Sequence, residues 1–228
     1  MLPERNRRNT GRGRTIRAIG AALALLAGTA SADTTSRELD FQGLRPVESG
    51  HRSYYELRKD ERGTYLHADY QAGDEATKQA LVLPESERRG HHKLTWRWRA
   101  LVLPAGGDEC DPAKRDSAAS VYVAWRRGLR WYGLKYSWSA VSPVGAVCDR
   151  NDTAVMRGET IILRSGGPLG TWMTESIDVE AEFHKHITPS DPIAEVPDLR
   201  GFAVLTDGDQ THSESSADYG SFVLTTTP

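Results

Sequence analysis

The chain has 228 residues, with 29 Lys and Arg against 31 Asp and Glu, 38% hydrophobic residues and two cysteines. That length and apolar content support a domain with a sizeable core. The slightly acidic balance argues against a general nucleic-acid binder, which needs a basic surface.

Residues 1–32 read as a secretory signal. Six arginines precede the apolar run Ala18–Ala27, and Ala30-Ser31-Ala32 supplies an A-x-A cleavage site. The apolar run is short for a bilayer span, so no integral membrane anchor is expected after cleavage. Residues 1–32 hold six arginines and one glutamate, which leaves 23 basic and 30 acidic residues in 33–228, a net charge of −7. A periplasmic or secreted location follows, with 33–228 as one β-sandwich domain. In an oxidising compartment Cys110 and Cys148 are expected to pair. The bridge would close a loop of about 39 residues and contribute on the order of 4 kcal/mol through loop-closure entropy.

The predicted elements are short strands. Tyr54–Leu57 and Thr64–Ala68 flank Asp60-Glu61-Arg62-Gly63, a hairpin turn. Gln79–Leu83 is a strand that stops at Pro84. In Lys93–Pro104 the residues alternate: Leu94, Trp96, Trp98, Ala100 and Val102 fall on one side, and Thr95, Arg97 and Arg99 on the other. This is the period of a half-buried strand. Val121, Val123 and Trp125 alternate with Tyr122, Ala124 and Arg126, and Leu134, Tyr136 and Trp138 with Lys135, Ser137 and Ser139. These three segments are expected to be neighbours in one sheet. Its outer side would then gather Arg97, Arg99, Tyr122, Arg126 and Lys135 into a cationic ligand-binding face. Strands follow at Thr160–Arg164 and Trp172–Val179, then a short helix at Glu180–His186, then strands at Gly201–Thr206 and Ser221–Thr225. Many short strands and little helix predict an all-β, two-sheet jelly-roll sandwich.

Asp207-Gly208-Asp209-Gln210-Thr211 follows an apolar strand. It lacks the α/β context of a phosphotransferase nucleophile motif. It can hold a structural calcium through Asp207, Asp209 and Asp218, or form a polar turn whose carboxylates accept backbone amides. No other cofactor is indicated. His91 and His92 stand in a charged loop and read as solvated. His184 and His186 point to different sides of the short helix.

An ordered set of motifs resembles the bacterial domain-of-unknown-function family numbered 3047. It comprises Trp96-Arg97-Trp98-Arg99, Pro104 with Gly106-Gly107-Asp108, Asp116, Val121-Tyr122-Val123, Tyr136-Ser137-Trp138, Trp172, Thr206-Asp207-Gly208-Asp209 and Tyr219-Gly220. The resemblance covers roughly residues 39–225 and implies an exported β-sandwich of no settled activity. The arrangement is also similar to jelly-roll carbohydrate-binding modules, in a galactose-binding-like layout.

The first functional expectation is a non-catalytic protein that binds a glycan or another anionic envelope polymer through the cationic face. The alternatives are a polysaccharide hydrolase or lyase using Tyr122, Tyr136, His67 or Asp116, and an envelope protein that binds a protein partner.

Overall fold

Alternation of large apolar and polar residues recurs along the chain and builds strands. The computed structural model describes residues 33–47 and 54–228. The leader expected at 1–32 lies outside the described residues. The first strands are β1 (Thr35–Glu38), β2 (Arg45–Pro46), β3 (Tyr55–Asp60), β4 (Gly63–Tyr70) and β5 (Gln79–Val82). The long central strands are β6 (His91–Val102), β7 (Ser117–Arg127) and β8 (Arg130–Ser139). They are followed by β9 (Val147–Asp152), β10 (Met156–Ser165) and β11 (Met173–Asp178). The helix α1 (Val179–His186) precedes β12 (Asp198–Leu205) and β13 (Ser215–Thr227).

One sheet runs β11–β6–β13–β4–β3, with β1 beside β13. The other runs β2–β5–β12–β7–β8–β10–β9. The result is an all-β, two-sheet jelly-roll sandwich with one short α-helix among the described residues. The hairpin β3–β4 turns at Asp60 and Gly63 as its sequence predicts. The pair β8–β10 is parallel. The helix begins where the Asp178 side chain accepts from Ala181 N at 2.9 Å, a cap for an otherwise unsatisfied donor.

The inward residues meet across the sandwich. Trp96 lies 5.9 Å from Tyr136 and Trp98 lies 5.8 Å from Trp138, ring centre to ring centre. Trp125 packs on Phe183 of α1 at 5.2 Å. Each buried tryptophan removes on the order of 200 Å² from water, worth roughly 5 kcal/mol before ordering costs are subtracted.

One expectation requires correction. Strands β6, β7 and β8 share a pattern but not a sheet: β6 pairs with β11 and β13, while β7 and β8 belong to the opposite sheet. Alternation marks which side of a strand faces the core. In a sandwich two sheets share that core, and their outer sides point in opposite directions. Arg97 and Arg99 therefore stand on one outer face, and Tyr122, Arg126 and Lys135 on the other.

Cys110 and Cys148 form a disulfide with a Cα–Cα distance of 5.2 Å. It ties the loop before β7 to β9, and this loop crosses the outer side of the seven-stranded sheet at Lys135 and Ser137.

Candidate functional site

The outer face of the six-stranded sheet carries two side-chain rows set by strand register. In the first row, Arg99 of β6 stands opposite Asp218 of β13, Asp218 opposite His67 of β4, and His67 opposite Glu56 of β3. Asp218 is 1% exposed, and its two oxygens are both engaged. Arg99 Nε donates to Oδ2 at 2.6 Å, and His67 Nδ1 lies 2.6 Å from Oδ1. Arg99 and Asp218, opposite charges on directly facing positions, are a favourable cross-strand pair.

The second row is Arg97, Gly220, Tyr65 and Arg58. Arg97 lies down across Gly220, where a Cβ would come within 2.9 Å of its Nε. Its guanidinium donates to Asp60 Oδ1 at 2.8 Å and to Ser221 Oγ at 3.2 Å. The indole of Trp172 covers it, 4.1 Å from ring centre to guanidinium carbon, and reaches Arg99 at 4.6 Å. Tyr65 meets Trp172 edge to face at 5.5 Å. Arg97 is only 3% exposed as a result. Its guanidinium holds the Asp60 carboxyl below its ordinary value.

Beside the first row lies a groove of about 210 Å³ lined by Tyr55, Glu56, Arg58, His67, Asp69 and Asp74, among others. Arg58 Nε donates to Glu56. Gln71 donates to Asp69 through Nε2 at 3.0 Å and to Asp74 through its backbone amide at 3.1 Å.

The outer face of the seven-stranded sheet differs. Lys135 is buried beneath the disulfide-tethered loop and reaches Glu109 Oε1 at 2.7 Å. Burial alone would lower the Lys135 ammonium, but the Tyr122 phenol and the Glu109 and Asp207 carboxyls around it more than offset this. Burial likewise pushes the Tyr122 phenol up. Arg126 lies apart at the strand end, 5.0 Å over the Trp131 ring, with Nε on Gly128 O. Tyr136 points into the core and donates to Glu182 at 3.1 Å.

Asp116, Asp207 and Asp209 each offer an oxygen within 4.8 Å of the others. Asp218 does not join them, because β13 carries it on the opposite outer face. Asp116 accepts the amides of Gln210 and Thr211 at 3.2 and 2.6 Å, and Asp207 accepts that of Ser117 at 2.9 Å. Burial raises the Asp207 carboxyl to about 7, with Lys135 opposing and Glu109 and Asp116 adding to the rise. Burial and Asp116 also raise Asp209. Three hard oxygen donors this close suit a calcium ion. A second set, His91, Asp178 and Glu180, is more exposed. His92, expected to be solvated, is 1% exposed, with Nδ1 2.7 Å from Glu180.

Trp172, Tyr65 and Asp60 around the two arginines, and Glu109 beside Lys135, are partners that sequence reasoning does not select. In the sequence Asp60 reads as a turn residue and Glu109 only as a neighbour of Cys110.

Two stacked sheets, one outer face covered by a tethered loop and the other bearing ordered polar rows, define a jelly-roll sandwich protein. The chain belongs to the family described as protein of unknown function (DUF3047), which matches residues 44–223. Among solved structures it is similar to the xyloglucanase domain of NopAA, a type three effector from Sinorhizobium fredii. There the identity is 9%, the TM-score 0.46, and the match covers 86% of this chain and 98% of that one. It is also similar to the family GH12 endoglucanase 3 of Trichoderma harzianum, at 9% identity and TM-score 0.41, over 87% of this chain and 100% of that one. A family 12 xyloglucanase from Bacillus licheniformis shares 5% identity at TM-score 0.37, over 86% and 100% of the two chains. No curated protein sequence matches the chain.

Proposed function

We propose that this is an exported protein that binds a glycan along the outer face of its six-stranded sheet. The observation that carries this reading is the half-buried Trp172, stacked on Arg97 and Arg99, on the same outer face as a groove lined by carboxylates, an amide and a guanidinium. Aromatic rings pack on the apolar faces of sugars, and carboxylates accept from sugar hydroxyls. Arg97 and Arg99 already have carboxylate partners in Asp60 and Asp218, so a neutral, hydroxyl-rich glycan fits better than an anionic polymer. The disulfide supports an oxidising compartment. No helix among the described residues is long and apolar enough to cross a membrane. A structural calcium belongs to the same proposal, on Asp116, Asp207 and Asp209 in place of the set that included Asp218.

The test is a binding assay on neutral and acidic polysaccharides with the wild type and a Trp172→Ala variant. Binding to a neutral polysaccharide, weakened about tenfold or more in the variant, supports the reading; tenfold corresponds to about 1.4 kcal/mol. Binding confined to acidic polymers, or unaffected by the substitution, would overturn it.

A further inference from the structure

The partners of His67 fix its chemistry. The Asp218 carboxylate can only accept, so the proton of the neutral imidazole sits on Nδ1 and Nε2 keeps its lone pair. Asp218 cannot swing away, because Arg99 grips its other oxygen at 2.6 Å. The ring is 7% exposed and lines the groove. A base in a fixed tautomer, oriented by a buried carboxylate, is the arrangement used to take a proton from a bound nucleophile. The groove carboxylates stand differently: Glu56, Asp69 and Asp74 each already accept from Arg58 or Gln71.

We infer that His67 is a general base in this groove and that the protein hydrolyses an O-acyl ester carried by its glycan ligand. The inference rests on the glycan reading above. Water is the nucleophile. His67 Nε2 takes one of its protons while the water oxygen bonds to the ester carbonyl carbon. The carbonyl oxygen becomes an oxyanion, which faces the Nη groups of Arg58, diagonal to His67 across the β3–β4 pair. Collapse of the tetrahedral intermediate breaks the bond between the acyl carbon and the sugar oxygen. The imidazolium returns its proton to that oxygen. Ester and water become carboxylic acid and alcohol, with no other reactant. Cleavage of the glycosidic bond itself would call for a carboxylic acid facing a second carboxylate across the sugar ring. A single imidazole backed by Asp218 suits acyl chemistry.

The experiment measures acetate release from acetylated xylan by the purified full-length protein. Binding to the deacetylated polymer and thermal melting are followed in parallel. The wild type is expected to release acetate above the protein-free rate. His67→Gln, whose amide can still donate to Asp218, should lower kcat by about 100-fold or more, far more than it changes binding, while the variant still melts in one cooperative transition. Asp218 is a positioning residue: Asp218→Asn should lower kcat with little change in KM and alter the pH profile. Binding without acetate release, or release at an unchanged rate in His67→Gln, would overturn the inference and leave the glycan reading standing. Failure to bind either form of the polymer, with no acetate released, would overturn both for this polymer class. Release that depends on His67 without binding to the deacetylated polymer would retain the base and remove the glycan.

Discussion

Replacing Asp207 with asparagine tests the electrostatics of the covered sheet. Asp207 is 4% exposed and lies near Lys135, Glu109 and Asp116, with a folded-state value of about 7 against an ordinary 3.8. The unfolded chain ionises this carboxyl first as pH rises, so ionisation favours unfolding between the two values. Stability tied to the protonated form is complete below 3.8 and is lost as pH climbs through about 7. The gap corresponds to about 4 kcal/mol. An asparagine side chain in its place would keep an acceptor for the Ser117 amide, 2.9 Å from the carboxylate oxygen in the wild type, and would have nothing to ionise. Urea unfolding of both proteins, with chelator present, should therefore show the Asp207→Asn variant gaining on the wild type by about 4 kcal/mol between pH 4 and pH 8. A difference that stays constant across this range would refute the reasoning.

Three further outcomes are expected. Calcium should raise the melting temperature at pH 8 in the wild type and not in Asp116→Asn; an equal rise in both would place the ion elsewhere. Replacing Cys110 and Cys148 by alanine should cost on the order of 4 kcal/mol in denaturant unfolding, and an unchanged midpoint would contradict this. His186 lies 3.0 Å from Glu159 and 3.5 Å from Glu182. Glu182 raises His186 above 6.5, and His186 lowers Glu182 below 4.5. The histidine's contribution is whole below 6.5 and fades as pH rises through its raised value, while the glutamate's is whole above 4.5 and fades as pH falls through its lowered value. His186→Gln should thus cost most between 4.5 and 6.5 in a melting series across pH, and a loss independent of pH would count against the pair.

The alternation along β6, β7 and β8 is enough to identify Trp96, Trp98, Trp125, Tyr136 and Trp138 as core, because burial leaves a period of two in the chain. It cannot say which sheet each strand joins, since both sheets of a sandwich carry the same pattern. Strand β9 escapes the sequence for the opposite reason: Val147–Asp152 is mostly polar and exposed, held by its pairing with β10. The sites are less legible still. His67 and Asp218 are 151 positions apart, and Arg97 is buried by Asp60 and Trp172, both of which fold in from other strands or loops. Asp207 and Asp209 are visible as a motif. Their third neighbour is Asp116, from the loop before β7, whereas Asp218 is only nine positions further on and faces away.

The disulfide closes a covalent ring around the β7–β8 hairpin. Every strand of the sheet that carries His67, Asp218 and Trp172 lies outside that ring. A reducing agent therefore releases the tether on one sheet and breaks no covalent bond in the other. Ligand binding that survives reduction under native conditions would mean that the open face keeps its shape without the bond. Binding that disappears would mean that oxidation of the hairpin half decides when the other half becomes competent, making arrival in an oxidising compartment a condition of function.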